Sequence, residues 1–470
     1  MYKTKFCRQY AENSFLLKKG IKMAHFDVVV VGGGFSGSIA AIAASRSQAK
    51  TLIVESSSCL GGSLTSNGVN PMMTFHAGEK QVIRGITDEL IARLQAQGKS
   101  PGHLHDPSNF TATYTPFDAE AMKHELELML HEAGGRVLYH AALADVHREG
   151  DTLNSITVCT RSGLLTIEAN VFIDASGDAV LAAKAGVPVI KGRESDGKSQ
   201  PMTMTMKMGN VDREKLRAYM LENIDKLNNA YQIDDIRSAT RLSCHGFAQE
   251  FAAARAAGEI SIPREDVLFF ETNTPGEFVL NTSRILDHDA TDPWSLSEAE
   301  FIGRQQCREL EIFMKRVVPG FENAIVLQTG PSVGVRGSCQ ISGSYRLTAE
   351  DLLTQTRFDD TVAISGYPID IHSPDGEGTA HGQLPPGGMY GIPWRSMIAP
   401  QASNLIVVGR CISATFEAQA AIRTTPTVGA IGQAGGIAAA LSSQKGINVH
   451  GLPVADLQNA IRQQQGYLDF

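Results

Sequence analysis

The chain has 470 residues, 43% of them apolar and 20% charged, a composition that builds a sizeable globular core and leaves room for two intermixed domains. A net charge of -8 over this length argues against nucleic acid as the main partner, though a site can be locally basic on an acidic protein. The seven cysteines are scattered without a CxxC pair, so zinc, iron–sulfur and dithiol chemistry lack their ligand spacing; no metal is expected, and a reducing, cytoplasmic setting is.

Residues 1–24 form an extension carrying Lys3, Lys5, Arg8, Lys18, Lys19 and Lys22. Its apolar centre, Phe15-Leu16-Leu17, is too short for a signal peptide, so it reads as an over-long start or a disordered tail. No apolar run of about 18 residues follows, and no membrane span is expected.

The first strong element is the strand Phe26-Asp27-Val28-Val29-Val30-Val31, whose β-branched run suits a parallel strand buried on both faces. It ends in Gly32-Gly33-Gly34-Phe35-Ser36-Gly37, a G-x-G-x-x-G turn. Gly32 permits the turn, Gly34 lets backbone approach a pyrophosphate, and Gly37 allows close helix–strand contact. The small-residue stretch Ser38–Ser45 reads as a helix whose N-terminus, with Phe35 and Ser36, presents free N–H groups to phosphates. A second strand, Thr51–Glu55, ends in an acid placed to accept hydrogen bonds from a ribose. Strand, turn, helix, strand and acid in this order mean a dinucleotide, without separating FAD from NAD.

Further along, residues 117–133 carry apolar anchors at helical spacing, closed by Gly134-Gly135. Short strands are expected around 136–146, 153–159 and 163–168, then at Ile173-Asp174. Met202, Met204, Met206 and Met208 alternate strictly, predicting a strand whose methionine face either lines a soft pocket or is core. Helices near 212–230 and 296–317, with strands near 266–282, fill the middle. Gly376-Glu377-Gly378 lies in a Pro- and Gly-rich loop and lacks a third glycine, so no second nucleotide turn is read there.

Three segments carry a family resemblance. Cys59-Leu60-Gly61-Gly62-Ser63-Leu64-Thr65-Ser66 resembles the double-glycine turn that follows the acid in two-dinucleotide-binding-domain flavoproteins. The run Ala169 to Asp178, with Asp174, Gly177 and Asp178, resembles the strand where their backbone returns to the cofactor. Asn404 to Arg410 reads as a strand entering a glycine turn at Gly409, and a helix follows from about Pro426, with Thr427 and Val428 at its head. Together these resemble the broad FAD-dependent oxidoreductase family that includes fumarate-reductase-like and heterodisulfide-reductase-like flavoproteins, over most of residues 25–445. The resemblance implies bound FAD, with the last helix aiming its positive end at the flavin. One departure stands out: where many relatives carry Gly-Asp, this chain has Gly409-Arg410.

The expected fold is α/β, a discontinuous Rossmann-type FAD-binding domain (25–195 and 396–447) with an inserted α+β substrate domain (196–395) and a C-terminal cap (448–470). The expected function is hydride exchange between a small-molecule substrate and flavin N5, with an external electron acceptor or donor. A flavin monooxygenase and an electron-relay subunit of a larger complex are the alternatives. A disulfide-reductase mechanism is set aside, because Ser63-Leu64-Thr65-Ser66 stands where paired cysteines would follow Gly61-Gly62.

Asp370 and His372, at i and i+2 of a strand, share one face as candidate base and orienting acid, or else mark a surface strand end. Arg395 and Arg336 are candidate anion holders or domain-joining arginines, and Arg423 is placed to face flavin or substrate. Cys411 is either a reactive thiol beside the glycine turn or a buried small side chain, and His76, His103 and His105 are candidates to cover the flavin.

Overall fold

Val28, Val29 and Val30 are completely buried, as a β-branched run is when both faces of its strand are covered. They belong to β1 (Ala24–Val31) of a computed structural model that describes residues 24–228 and 230–470. The expectations for the N-terminal extension fall on residues 1–23, outside the described residues. From β1 the chain enters α1 (Phe35–Arg46) and returns as β2 (Thr51–Val54), parallel to β1; β3 (Arg136–Leu138) then adds beyond β2, also parallel. Next come β4 (Ala142–Glu149), β5 (Thr152–Thr160) and β6 (Gly163–Asp174) as an antiparallel meander.

β6 is one strand of 12 residues, not the two short ones expected. Its first half is partly exposed and pairs with β5, while Val171 to Asp174 are fully buried and pair in parallel with β1. The change from a half-wet meander to the sheet centre breaks the alternation, and the sequence pattern breaks with it. Past this end of β6 lies the strand Leu405–Val407, again parallel, completing a seven-stranded sheet.

The helix after that strand, Thr425–Lys445, lies directly on α1. A Cβ on Gly432 would sit 2.2 Å from the Ser36 carbonyl oxygen, and one on Gly436 would sit 2.0 Å from that of Ala40. Glycines on this face therefore let the chain's last long helix press against its first, so that both helix N-termini open on the same edge of the sheet.

A second core is built on a five-stranded antiparallel sheet, in the order Ser243–Gly246, Val267–Glu271, Phe278–Leu280, Met206–Gly209 and Ile325–Thr329. The amphipathic helix Pro293–Val317 packs on it through Leu310, Phe313 and Met314. Its start is fixed by Asp292, whose side chain accepts from the Ser295 N–H, and by Pro293 in the first turn. All four methionines of the stripe are buried in this core, and only Met206–Gly209 is regular strand. The methionine face is core, not pocket lining.

This combination of a parallel β–α–β start and a separate antiparallel sheet is the mixed α/β architecture expected. Residues 196–395 divide between the two cores. The second core gathers residues from Met202 to Val333, whereas residues from Cys339 to Trp394 pack into the first. Cys339–Ile341 pairs with Val189–Lys191, tying that return segment to the first core. In residues 448–470, Leu457, Ile461 and Leu468 are buried in the first core.

Candidate active site

A cavity of about 760 Å³ opens at the C-terminal ends of β1 and β2, where open α/β sheets hold their ligands, and it reaches the second sheet. Gly32, with φ +102°, turns the chain out of β1, and a Cβ there would meet the Ala175 carbonyl oxygen at 2.5 Å. Gly37 closes the turn from the other side: a Cβ would lie 2.0 Å from the Gly32 carbonyl oxygen. Gly34 is different, because a Cβ there would meet nothing within 4 Å and would project into free space on the cavity wall. α1 begins here with no side-chain cap, and the buried Ser36 Oγ has no hydrogen-bond partner. An uncapped helix start, an orphaned hydroxyl and an empty Cβ position together fit a ligand that brings acceptor oxygens, as a pyrophosphate does.

Glu55 lines the same wall, where its Oε2 accepts from the Gly33 N–H at 2.6 Å and its Oε1 from the Ser57 N–H at 2.6 Å. The acid braces the glycine turn. The second glycine pair packs on the first: the Gly61 N–H donates to the Gly33 carbonyl at 2.9 Å, and a Cβ on Gly62 would be 2.8 Å from the Gly34 Cα. Phe35, Gly62, Ser63 and Val428 line the cavity beside Gly32, Gly34 and Ser36.

Gly177, Asp178, Gly409 and Arg410 line it too, and they explain one another. Arg410 donates to Asp178 at 2.8 Å, and a Cβ on Gly177 would collide with the guanidinium at 2.7 Å. The acid missing after Gly409 is thus met by Asp178 from the end of β6, with Arg410 between, and the buried Arg410 Nε is left without a partner.

Four expected cofactor residues lie off the cavity wall. Gly37 and Gly61 act by packing, as described. Asp174 is fully buried and accepts from the Ser176 N–H, the Ser176 hydroxyl and the Ala182 N–H, so it clamps the turn into the helix Val180–Lys184. Thr427 is also buried and exchanges hydrogen bonds with Ser365 at 2.8 Å and Thr424 at 3.0 Å. Cys411 is fully buried with its thiol pushed up by burial, so the unreactive reading holds for it. His76, His103 and His105 are absent from the cavity wall; His103 is held by Asp88 and Thr115.

The far wall of the cavity includes the hairpin Ile369–His372 and Thr379–Gly382, which brings Asp370, His372 and His381 together. Asp370 is the hub. Its carboxylate accepts from Tyr367 Oη at 3.2 Å, with Arg423 at 3.5 Å, His372 Nε2 at 3.5 Å and His381 Nδ1 at 3.4 Å. Burial opposes its ionisation, but His372, Arg423 and His381 outweigh burial and hold it far below the usual carboxylate range.

Both ring nitrogens of His372 face charged neighbours. Arg284 Nη2 lies 3.2 Å from its Nδ1 and can only donate, so Nδ1 is a committed acceptor and the ring proton sits on Nε2, facing Asp370. Burial and the nearby Arg336 push its pKa well below the ordinary value, against the pull of Asp370. The Asp–His pair therefore does not raise basicity here. The accessible imidazole is His381, which sequence reading missed: it stands opposite Asp370 in the hairpin register, lines the cavity and meets the Phe110 ring edge-on at 5.1 Å. A second missed pair, His245 and Asp266 at 2.9 Å, enters from the second sheet, with His245 on the wall and its Nδ1 unpartnered.

Arg395 lies outside the cavity. It donates to Asp360 at 2.9 Å, covers the Tyr345 ring and leaves half its side chain exposed. It joins a short turn to the preceding segment. Arg395→Ala is expected to leave the rate of flavin reduction within about twofold of wild type while costing about 1 kcal/mol of stability. A stopped-flow trace and a thermal melt read the two effects, and a large loss of rate would return Arg395 to the site.

The sequence profile of the FAD dependent oxidoreductase family matches residues 27–461. Among solved structures, similarity extends to a geranylgeranyl bacteriochlorophyll reductase-like protein from Thermoplasma acidophilum, at 13% identity over 94% of this chain and 83% of that one, with TM-score 0.42. It extends also to a p-nitrophenol 4-monooxygenase from Pseudomonas putida DLL-E4, at 10% identity over 94% and 85%, TM-score 0.48. An L-proline dehydrogenase from P. horikoshii aligns at 11% identity over 95% and 100%, TM-score 0.44. No curated protein shows significant sequence similarity. Among the described residues, no helix is long and apolar enough to cross a membrane.

Proposed function

The chain belongs to the FAD dependent oxidoreductase family, and on that premise we propose that it is a dehydrogenase or reductase exchanging a hydride between a small polar substrate and flavin N5. The observation that supports this reading is the continuity of one cavity, from the Gly34 cradle and Glu55 to the polar wall around Asp370. FAD held along that cradle supplies the redox step. Gly34, Ser36 and the start of α1 would hold its pyrophosphate and Glu55 its ribose, and the N-terminus of Thr425–Lys445 would face its ring system.

The chain's own part in the chemistry is to place the substrate and to move a proton. His381 is the carrier in this reading, with Asp370 fixing its Nδ1 and leaving Nε2 towards the substrate. Tyr367 and Arg423 keep the Asp370 carboxylate in position.

Anaerobic mixing of the FAD-loaded protein with a panel of alcohols, sugar acids and amines is expected to bleach the visible flavin band with at least one of them. His381→Gln is expected to leave the protein yellow and slow that bleaching by about 100-fold. If nothing in the panel bleaches the flavin while NADPH alone does so, the direct-exchange reading fails.

A further inference from the structure

The wall around Asp370 holds more positive charge than its acids can pair. Arg336 lines the cavity, yet every partner it has is neutral: Pro201 O at 2.7 Å, Thr203 Oγ1 at 2.6 Å and Asn281 Oδ1 at 3.4 Å. Arg284, 2% exposed and behind the wall, donates to the Gly376 and Gly378 carbonyls and to His372, with no carboxylate in salt-bridge range among the described residues. Arg264 has Asp266 at 3.4 Å, and Arg423 shares Asp370 while its buried Nε has no partner. Desolvation and the repulsion of Arg423, Arg284 and Arg264 lower the pKa of Arg336 against the pull of Asp370, and among the described residues no aspartate or glutamate forms an ion pair with it. Enclosed guanidiniums without counter-charges are costly, and the arrangement is relieved by an anion brought in from outside.

The form of that anion follows from the open edge of Arg336. Its Nη1 is committed to Pro201 and Thr203, its Nη2 makes one long contact, and its Nε makes no hydrogen bond to a described residue. The Nε–Nη2 edge of a guanidinium presents two parallel N–H donors, which match the two oxygens of a carboxylate. We propose that the substrate carries a carboxylate, held by the Nε–Nη2 edge of Arg336 with Arg423 beside it.

This rests on the hydride-exchange reading for the identity of the site, but binding tests it separately. The FAD-loaded protein is titrated with benzoate, glycolate and malonate, with their neutral amides, and with inorganic phosphate and sulfate, following the flavin difference spectrum. The expected result is saturable perturbation by at least one carboxylate, at least tenfold tighter than by its amide, weakening as salt is raised. Arg336→Met is expected to weaken that carboxylate at least tenfold at unchanged FAD content, and Arg336→Lys to recover part of the loss. The carboxylate–amide comparison on the unaltered protein decides the matter even if both variants fold poorly. Equal response to acid and amide, response to phosphate or sulfate alone, or no response to any carboxylate overturns the proposal. Bleaching by a neutral substrate with all carboxylates silent refutes the anion site and leaves hydride exchange standing. Tight carboxylate binding without bleaching by any substrate does the reverse.

Discussion

Gly34→Val is expected to give a folded protein that has lost FAD. Gly34 has φ -57°, a conformation any residue adopts, so the substitution brings no backbone strain. A Cβ there meets no atom of the chain within 4 Å, so no clash with the protein follows either. What the added methyl groups fill is the space over the first turn of α1, whose start has no side-chain cap and where Phe35 and Ser36 line the cavity. A pyrophosphate pushed back by a methyl diameter loses several charge-assisted hydrogen bonds to the helix N-terminus. At about 1.4 kcal/mol for each factor of ten, affinity falls by about 100-fold or more. The purified variant is expected to be colourless, with a far-UV spectrum and denaturation midpoint equal to those of wild-type apoprotein. Gly37→Ala is the contrast, since its Cβ collides with the Gly32 carbonyl and the fold itself should weaken. If Gly34→Val retains FAD at wild-type affinity, the phosphates do not lie over this turn.

The difference between these two glycines shows what the sequence could and could not carry. The strand, turn, helix and acid between Phe26 and Glu55 are local, and each step is set by neighbours within a few residues, so spacing alone places Gly32, Gly34 and Glu55 on the cavity. The direction of a side chain within a motif is less local. Asp174 sits in the right segment, but its carboxylate turns inward to Ser176 and Ala182. Thr427 and Val428 are neighbours on one helix, about 100° apart around its axis, and only Val428 faces the cavity. The proton-handling and cationic residues are less legible still. His381 meets Asp370 across a hairpin whose loop is rich in Gly and Pro and shows no alternation, so the register cannot be read from pattern. Arg264 and His245 reach the cavity wall from the second core, far along the chain, with Arg284 meeting His372 behind it, and their placement depends on how that antiparallel sheet docks on the first. Propensity and period do not encode that docking.

The same non-local construction makes Asp370 the most sensitive residue of the site. Asp370→Asn preserves shape and removes the one carboxylate that, among the described residues, lies at contact distance of Arg423, His372 and His381. Tyr367, Arg423 and the His372 Nε2–H all turn donors towards its Oδ2, so the amide keeps its oxygen there and turns its NH2 group to His381 Nδ1, which must then accept where it donated before. Breaking one side of a buried charge pair costs about 3–5 kcal/mol, and denaturant unfolding of the variant should show a loss of that order. Flavin reduction should fall by about 100-fold or more, because His381 loses the group that fixes its Nδ1. The pH dependence carries a separate signature. In the folded protein His372 is held neutral below its ordinary value of 6.5, so above that pH neither state binds a proton and no penalty exists. As pH falls below 6.5 the unfolded chain takes up the proton first, and stability declines by up to about 1.4 kcal/mol per pH unit until the folded state titrates. Asp370, whose folded value lies far below its ordinary 3.8, adds stability that is fully present above 3.8 and is lost only as the pH drops further. Between those two values His372 contributes a slope that Asp370 does not; His76, also lowered by burial, adds to it, and Asp106 and Asp174, raised by burial, oppose it. In Asp370→Asn, where the carboxylate that favours the imidazolium is gone, that slope should persist to lower pH than in wild type. A variant that keeps wild-type stability, reduction rate and acid profile would show that Asp370 does not organise this wall.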